Sequence, residues 1–137
     1  MSEIWRTEET NISTINYTVP ITDELIEYIL CSAFEGGSTY WLRWANIENK
    51  KDAKKVACFT SEYLTRTNLK DAKLIIWTVD DSKIPITKKS IIDALQKMDD
   101  PKNGCTEALG RILDETYDAD DADIVVQTAC FGEVVYG

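Results

Sequence analysis

Two short stretches bring together residue types from which a binding or catalytic site could be built. Glu35-Gly36-Gly37 is followed by Tyr40 and Trp41, and Phe131-Gly132-Glu133 is followed by Tyr136. Each places a glutamate beside a helix-stopping glycine and aromatic rings just beyond it. If the two stretches meet, Glu35 and Glu133 face one cleft walled by rings. Rings suit stacking on a base, and carboxylates suit ribose hydroxyls or amines. Two facing carboxylates could also divide acid and base roles. The alternative is that the rings fill the core and the glutamates are solvated. Arg43 is the nearest base to a phosphate in such a cleft, with the Lys50–Lys55 run as a looser candidate.

Other chemistries are limited by what the chain lacks. Its 137 residues contain no histidine, so the Ser-His and Cys-His nucleophile arrangements are excluded. The four cysteines, Cys31, Cys58, Cys105 and Cys130, form no C-x-x-C pair. Converging into a zinc site would require all four from scattered positions. Reduced thiols are the better reading, with Cys31 and Cys130 on apolar helix faces. The acidic run 118–123, "DADDAD", invites a calcium or magnesium reading. It lacks the glycine and distal glutamate of an EF-hand loop, and an acidic helix start explains it as well. No metal and no cofactor are therefore expected. No glycine pattern approaches a phosphate loop.

These side chains need elements to position them. The length suits one domain, 1–137, with residues 1–10 polar and expected to be loose. "ISTINYTV" alternates Ile15, Tyr17 and Val19 with polar residues, which predicts a strand ended by Pro20. Thr22 is a candidate N-cap for a helix whose stripe is Leu25, Ile26, Ile29, Leu30, Ala33 and Phe34. Gly36 is expected in the left-handed conformation that ends it. "STYWLRWANI" predicts a strand with Tyr40, Leu42 and Trp44 on one face and Trp41 and Arg43 on the other. "KKDAKKVACFTSEYLTRTN" looks helical in its second part. "AKLIIWTVDD" and "IPIT" form a hairpin pattern around a turn. Helices follow in "KKSIIDALQKM", capped by Thr87, in "TEALGRILDETY" and in "DADDADIVVQTACFG", and "EVVY" predicts a last short strand. The pattern implies an α+β fold, a mostly antiparallel sheet packed with four or five helices.

Formal charge is −9 and uneven. Residues 1–41 hold seven acids and one base, residues 42–73 four acids and eight bases, and residues 107–137 eight acids and one base. Direct DNA binding is disfavoured, whereas a basic partner protein, including one that itself binds nucleic acid, suits the acidic ends. The longest apolar runs are a few residues, so no membrane partner is implied. The start, "MSEIWRTEET", does not read as a secretory leader, and the expected location is the cytoplasm.

The stretches Thr22 to Trp41 and Asp121 to Gly137 resemble a family of small uncharacterised proteins from bacteriophages and prophages of Gram-positive gut bacteria. The shared patterns are T-D-x-x-I…A-x-E-G-G-x-x-Y-W and D-A-D-x-I-x-Q…F-G-E-[IV]-V-[YF]-G. Residues 45–70 are hardly covered. Many members carry a cysteine after Y-W, where Leu42 stands here. The resemblance implies an accessory protein, of the kind that blunts host defence, and a binding role over an enzymatic one. One expectation is a sponge that sequesters a small nucleotide-derived signal, with homo-oligomerisation left open. A second is an acidic, DNA-mimicking or anti-CRISPR-like inhibitor of a host nuclease. A third is a carboxylate-dependent nucleotide hydrolase. The residues expected to hold a ligand are Glu35, Gly36, Gly37, Tyr40, Trp41, Arg43, Phe131, Gly132 and Glu133.

Overall fold

The structure, a computed structural model, describes residues 18–137. The expected loose start and most of the first expected strand, including Ile15 and Tyr17, lie outside the described residues. Thr18, Val19 and Pro20 form no regular structure. The elements are α1 (Asp23–Ser32), a π-helical turn (Ala33–Gly37), β1 (Leu42–Ile47), α2 (Lys50–Val56), α3 (Thr60–Arg66), β2 (Leu74–Thr78), β3 (Lys83–Ile86), α4 (Lys88–Met98), a 3-10 turn (Pro101–Asn103), α5 (Thr106–Leu113) and α6 (Ala119–Phe131). The fold is α+β. Among the described residues, three strands pair antiparallel in the order β1-β2-β3.

Local chemistry accounts for most element ends. Thr22 accepts from the Leu25 N–H, Thr87 from the Ser90 N–H, and Asp118 from the Asp121 N–H. Each satisfies an otherwise orphaned donor at a helix start. Gly132 ends α6 at φ 81, a left-handed position that a residue without a Cβ adopts freely. The segment expected to be one loosely patterned helix is two, because Ala57 is left-handed at φ 52 and ends α2. This split brings the α-helices to six among the described residues, one or two more than the sequence suggested.

The end of α1 departs from the expectation. Gly36 is not left-handed. Instead the helix widens into its π turn, where the Ser38 N–H reaches the Ala33 carbonyl at 2.8 Å. The glycine that this geometry requires is Gly37, because a Cβ there would lie 2.1 Å from the Ala119 carbonyl oxygen. Close packing of the π turn on the start of α6 decides the position.

Strand β1 begins at Leu42, later than expected, and a register shift separates Leu42 from Trp44. Trp41 lies in the turn before the strand, and it and Leu42 are both buried, so the expected alternation of faces does not extend back to Trp41. On β2 and β3, Leu74, Ile76 and Ile86 face the core. Ile75 pairs with Pro85 and Trp77 with Lys83 on the other face. Helix α6 packs against α1, α4, α5 and the π turn. It buries Ala122, Val125 and Val126 together with the polar Asp123 and Gln127. Residues 134–137 form no strand; side chains hold them instead.

Candidate functional site

The two stretches that carry the sequence motifs meet around Asp123. Its Oδ1 accepts from the Ser38 hydroxyl and the Trp41 indole N–H, both at 2.7 Å. Its Oδ2 accepts from the Tyr40 hydroxyl at 2.7 Å and from Gln127 Nε2 at 2.9 Å. Four donors therefore converge on one buried carboxylate. One turn further along α6, Gln127 binds the chain terminus. Its Oε1 accepts from the Val135 and Tyr136 N–H groups at 2.8 Å each, and its Nε2 donates to the Tyr136 carbonyl at 3.0 Å. The i, i+4 spacing of Asp123 and Gln127 puts both on one face of α6. A single strip of helix thus ties the exit of α1 to the C-terminal segment.

The rings close over this polar knot. Trp41 is fully buried and stacks on Tyr136 with centroids 5.3 Å apart and planes 5° apart. Phe131 lies tilted 5.4 Å from Trp41 and 5.8 Å from Tyr136. Tyr136 also donates to Asp80 at 2.6 Å, pinning the terminal segment to the β2–β3 turn. Tyr40 keeps 54% of its surface exposed. Burial of its hydroxyl end, then the hydrogen bond to the Asp123 carboxylate, pushes the phenol up to about 12.

The other expected site residues separate. Glu35 is exposed and accepts from the Cys31 thiol at 3.2 Å. It lines a depression of about 390 Å³ with Tyr28, Phe34 and Phe59. Glu133 is exposed and lines a different hollow of about 200 Å³ with Lys97, Met98 and Cys105. Gly36 faces open space. Gly37 and Gly132 serve close packing and a helix end. Arg43 is half exposed and paired with Asp81 at 3.3 Å. The cleft in which Glu35 faces Glu133 is not among these hollows; Asp123 occupies the meeting point of the motifs.

The acidic run resolves into separate tasks. Asp118 caps α6, Asp121 accepts from Arg111 Nε and Nη2 at 2.8 Å each, and Asp123 forms the knot. Among the described residues, no group of three or more His, Cys, Asp or Glu side chains is placed to hold a metal ion. All four cysteines are free and half-buried. The Cys31 thiol is raised by its hydrogen bond to Glu35, and those of Cys58 and Cys130 by burial, Cys130 to about 12. These three thiols are therefore poor nucleophiles at neutral pH.

Sequence reasoning passed over the concave surface around Tyr28. Tyr28, 60% exposed, is the shared wall of the 390 Å³ depression and of a neighbouring cavity of about 630 Å³. Five glutamates line the two: Glu27, Glu35 and Glu62 in one, Glu24 and Glu115 in the other. Among the described residues, neither lining includes a lysine or arginine. Phe59 stands at the rim of the smaller depression with 77% of its surface exposed. The available signal was Tyr28 itself, an aromatic off the buried stripe of α1. Among the described residues, no helix is long and apolar enough to cross a membrane. The chain matches no family model, and no similar protein was found among the curated proteins or the solved structures with which it was compared.

Proposed function

We propose that this chain is a binding protein that captures a basic protein through the acidic, aromatic face of α1. The observation that carries this reading is the pair of adjoining depressions that share Tyr28: five glutamates line them, of which Glu27 and Glu62 are paired with Arg66 at 3.2 and 3.0 Å, so the excess of acid comes from Glu24, Glu35 and Glu115. Exposed rings supply the apolar anchors of an interface, and a surface of one sign selects and steers a partner of the other. A nucleic-acid-binding protein has such a basic surface. An accessory phage protein that inhibits a host nuclease would act by covering it. The test is calorimetric titration with a synthetic amphipathic Lys/Leu helix at low and high salt. Binding should weaken with salt, and Phe59→Ala should weaken it about tenfold. Failure of the helix to bind, or binding indifferent to Phe59→Ala, overturns this reading.

A second reading, sequestration of a small nucleotide-derived ligand, is favoured by the outer face of the sheet. Trp44 is 47% exposed there, 5.6 Å from Trp77, and Lys83 Nζ lies 4.4 Å over the Trp77 ring. Rings beside a base suit a stacked nucleobase with a phosphate. Arg43, in the neighbouring strand, is the further base. A nucleotide panel read by thermal shift and tryptophan quenching tests it: a stabilising nucleotide whose effect is lost in Trp44→Ala supports it. An unmoved melting temperature across the panel removes it. Nothing among the described residues favours a hydrolase, since Glu35 and Glu133 line separate hollows and both oxygens of Asp123 are engaged.

A further inference from the structure

We propose that the 630 Å³ cavity between α1 and α5 is a socket for an organic cation, a guanidinium or alkylammonium carried on an apolar stem. This rests on the capture of a basic protein proposed above and names the side chain that anchors it, an arginine or lysine of the partner. The size lies within the range of cavities that enclose small ligands. The lining has three parts, each matched to one part of such a group. Leu25 of α1 and Leu113 of α5 supply apolar walls for a methylene stem. Tyr28 and Tyr117 supply two aromatic rings, whose faces attract cations through their quadrupoles. Glu24 and Glu115 supply carboxylates for charge-assisted hydrogen bonds to its N–H groups.

Other ligand classes fit less well. A phosphate or carboxylate would meet two glutamates and, among the described lining residues, no cation. A neutral apolar molecule would leave the two carboxylates without a role. The backbone also commits itself here. Glu115 is held left-handed at φ 60, its N–H bonded to the Ile112 carbonyl at 3.1 Å. This is an uncommon conformation for a residue with a Cβ. It turns the chain at the end of α5 so that Glu115 and Tyr117 both border the cavity. Burial pushes the Tyr117 hydroxyl up, as expected for a ring set into the wall.

The socket is tested on the full chain, first without any partner. Butylguanidinium and its neutral isostere butylurea are titrated while the Tyr28 and Tyr117 ring resonances are followed by NMR. Shifts with butylguanidinium and none with butylurea are the expected result. Equal shifts with both, or none with either, overturn the proposal. A second arm uses an amphipathic peptide with one central arginine and its citrulline counterpart. The arginine form should bind about tenfold more tightly, and Glu24→Gln with Glu115→Gln should abolish the difference. If the peptide binds and is weakened by Phe59→Ala, yet is indifferent to citrulline and to the double variant, the socket fails while protein capture stands. If butylguanidinium shifts the rings but neither peptide binds, capture fails and the cavity remains a site for a free organic cation.

Discussion

Asp123 shows how much one side chain can organise. A buried carboxylate needs its lone pairs satisfied, and here two aromatic donors, a hydroxyl and an amide meet it. Asp123→Asn keeps the shape but points an NH₂ at groups that are themselves donors. A loss of about 2–3 kcal/mol is expected, read as a lower urea midpoint with an unchanged slope. The same contact predicts an alkaline effect. Tyr40 ionises near 12 when folded, against an ordinary value of about 10. For an acid whose value is raised, the associated stability is fully present below about pH 10 and is lost as pH rises through the folded value. Tyrosinate absorbance should show Tyr40 among the rings that resist ionisation at about pH 11, together with Tyr63, Tyr117 and Tyr136, whose hydroxyls are also raised, and Asp123→Asn should lower the Tyr40 step while burial keeps it above the ordinary value.

At the scale of elements, the decisive contacts are those that set α6 against its neighbours. The π turn touches the start of α6 so closely that Gly37→Ala must displace one or the other. It should lose about 3 kcal/mol, whereas Gly36→Ala, facing open space, should stay within about 0.5 kcal/mol of the parent in the same urea melt. The contrast distinguishes close packing from loop flexibility at adjacent glycines. Helix α5 is fastened to α6 by the two-pronged pair of Arg111 and Asp121. The guanidinium hydrogen bond holds the Asp121 carboxyl below the usual carboxylate range. Stability from a depressed carboxyl is present above the ordinary value of about 3.9 and is lost as pH falls through the folded one. Arg111→Ala should therefore destabilise at neutral pH and flatten the acid decline below about pH 4, seen by circular dichroism.

At the scale of the whole molecule, charge and exposed rings distribute functions that no single motif announces. The rings Trp41, Phe131 and Tyr136 pack on one another and join the segment after α1 to the segment after α6. The rings with most surface to offer, Tyr28 and Phe59, stand on the acidic side of α1, and Trp44 stands on the open sheet face. Capture of a basic partner should consequently be unchanged in Trp44→Ala and about tenfold weaker in Phe59→Ala, while nucleotide stacking would be lost in Trp44→Ala and unchanged in Phe59→Ala. Surface plasmon resonance against the Lys/Leu helix, with both variants immobilised side by side, reads this directly.

Elements that depend on near neighbours were legible from the sequence. Thr22, Thr87 and Asp118 start helices because a side-chain oxygen three residues back reaches an orphaned N–H. The apolar period of 88–98 and the hairpin of Leu74–Thr78 with Lys83–Ile86 follow from spacing alone. The Asp123–Gln127 pair was legible in principle, as two polar residues at i, i+4 flanking the apolar Ile124, Val125 and Val126. What it binds was not, because its partners lie more than eighty residues away in the chain at Ser38, Tyr40 and Trp41. The same holds for the cavity beside Tyr28, whose walls come from α1 and from α5 with the residues after it. Hydrophobic period and capping are local interactions, so the sequence alone determined the α+β class and most of the helices and strands, but not the break at Ala57, the π turn after α1 or the irregular end after Gly132. Which carboxylate would be buried, which glycine would be indispensable and which rings would stay open depended on the way α6 docks, and only the tertiary structure decided them.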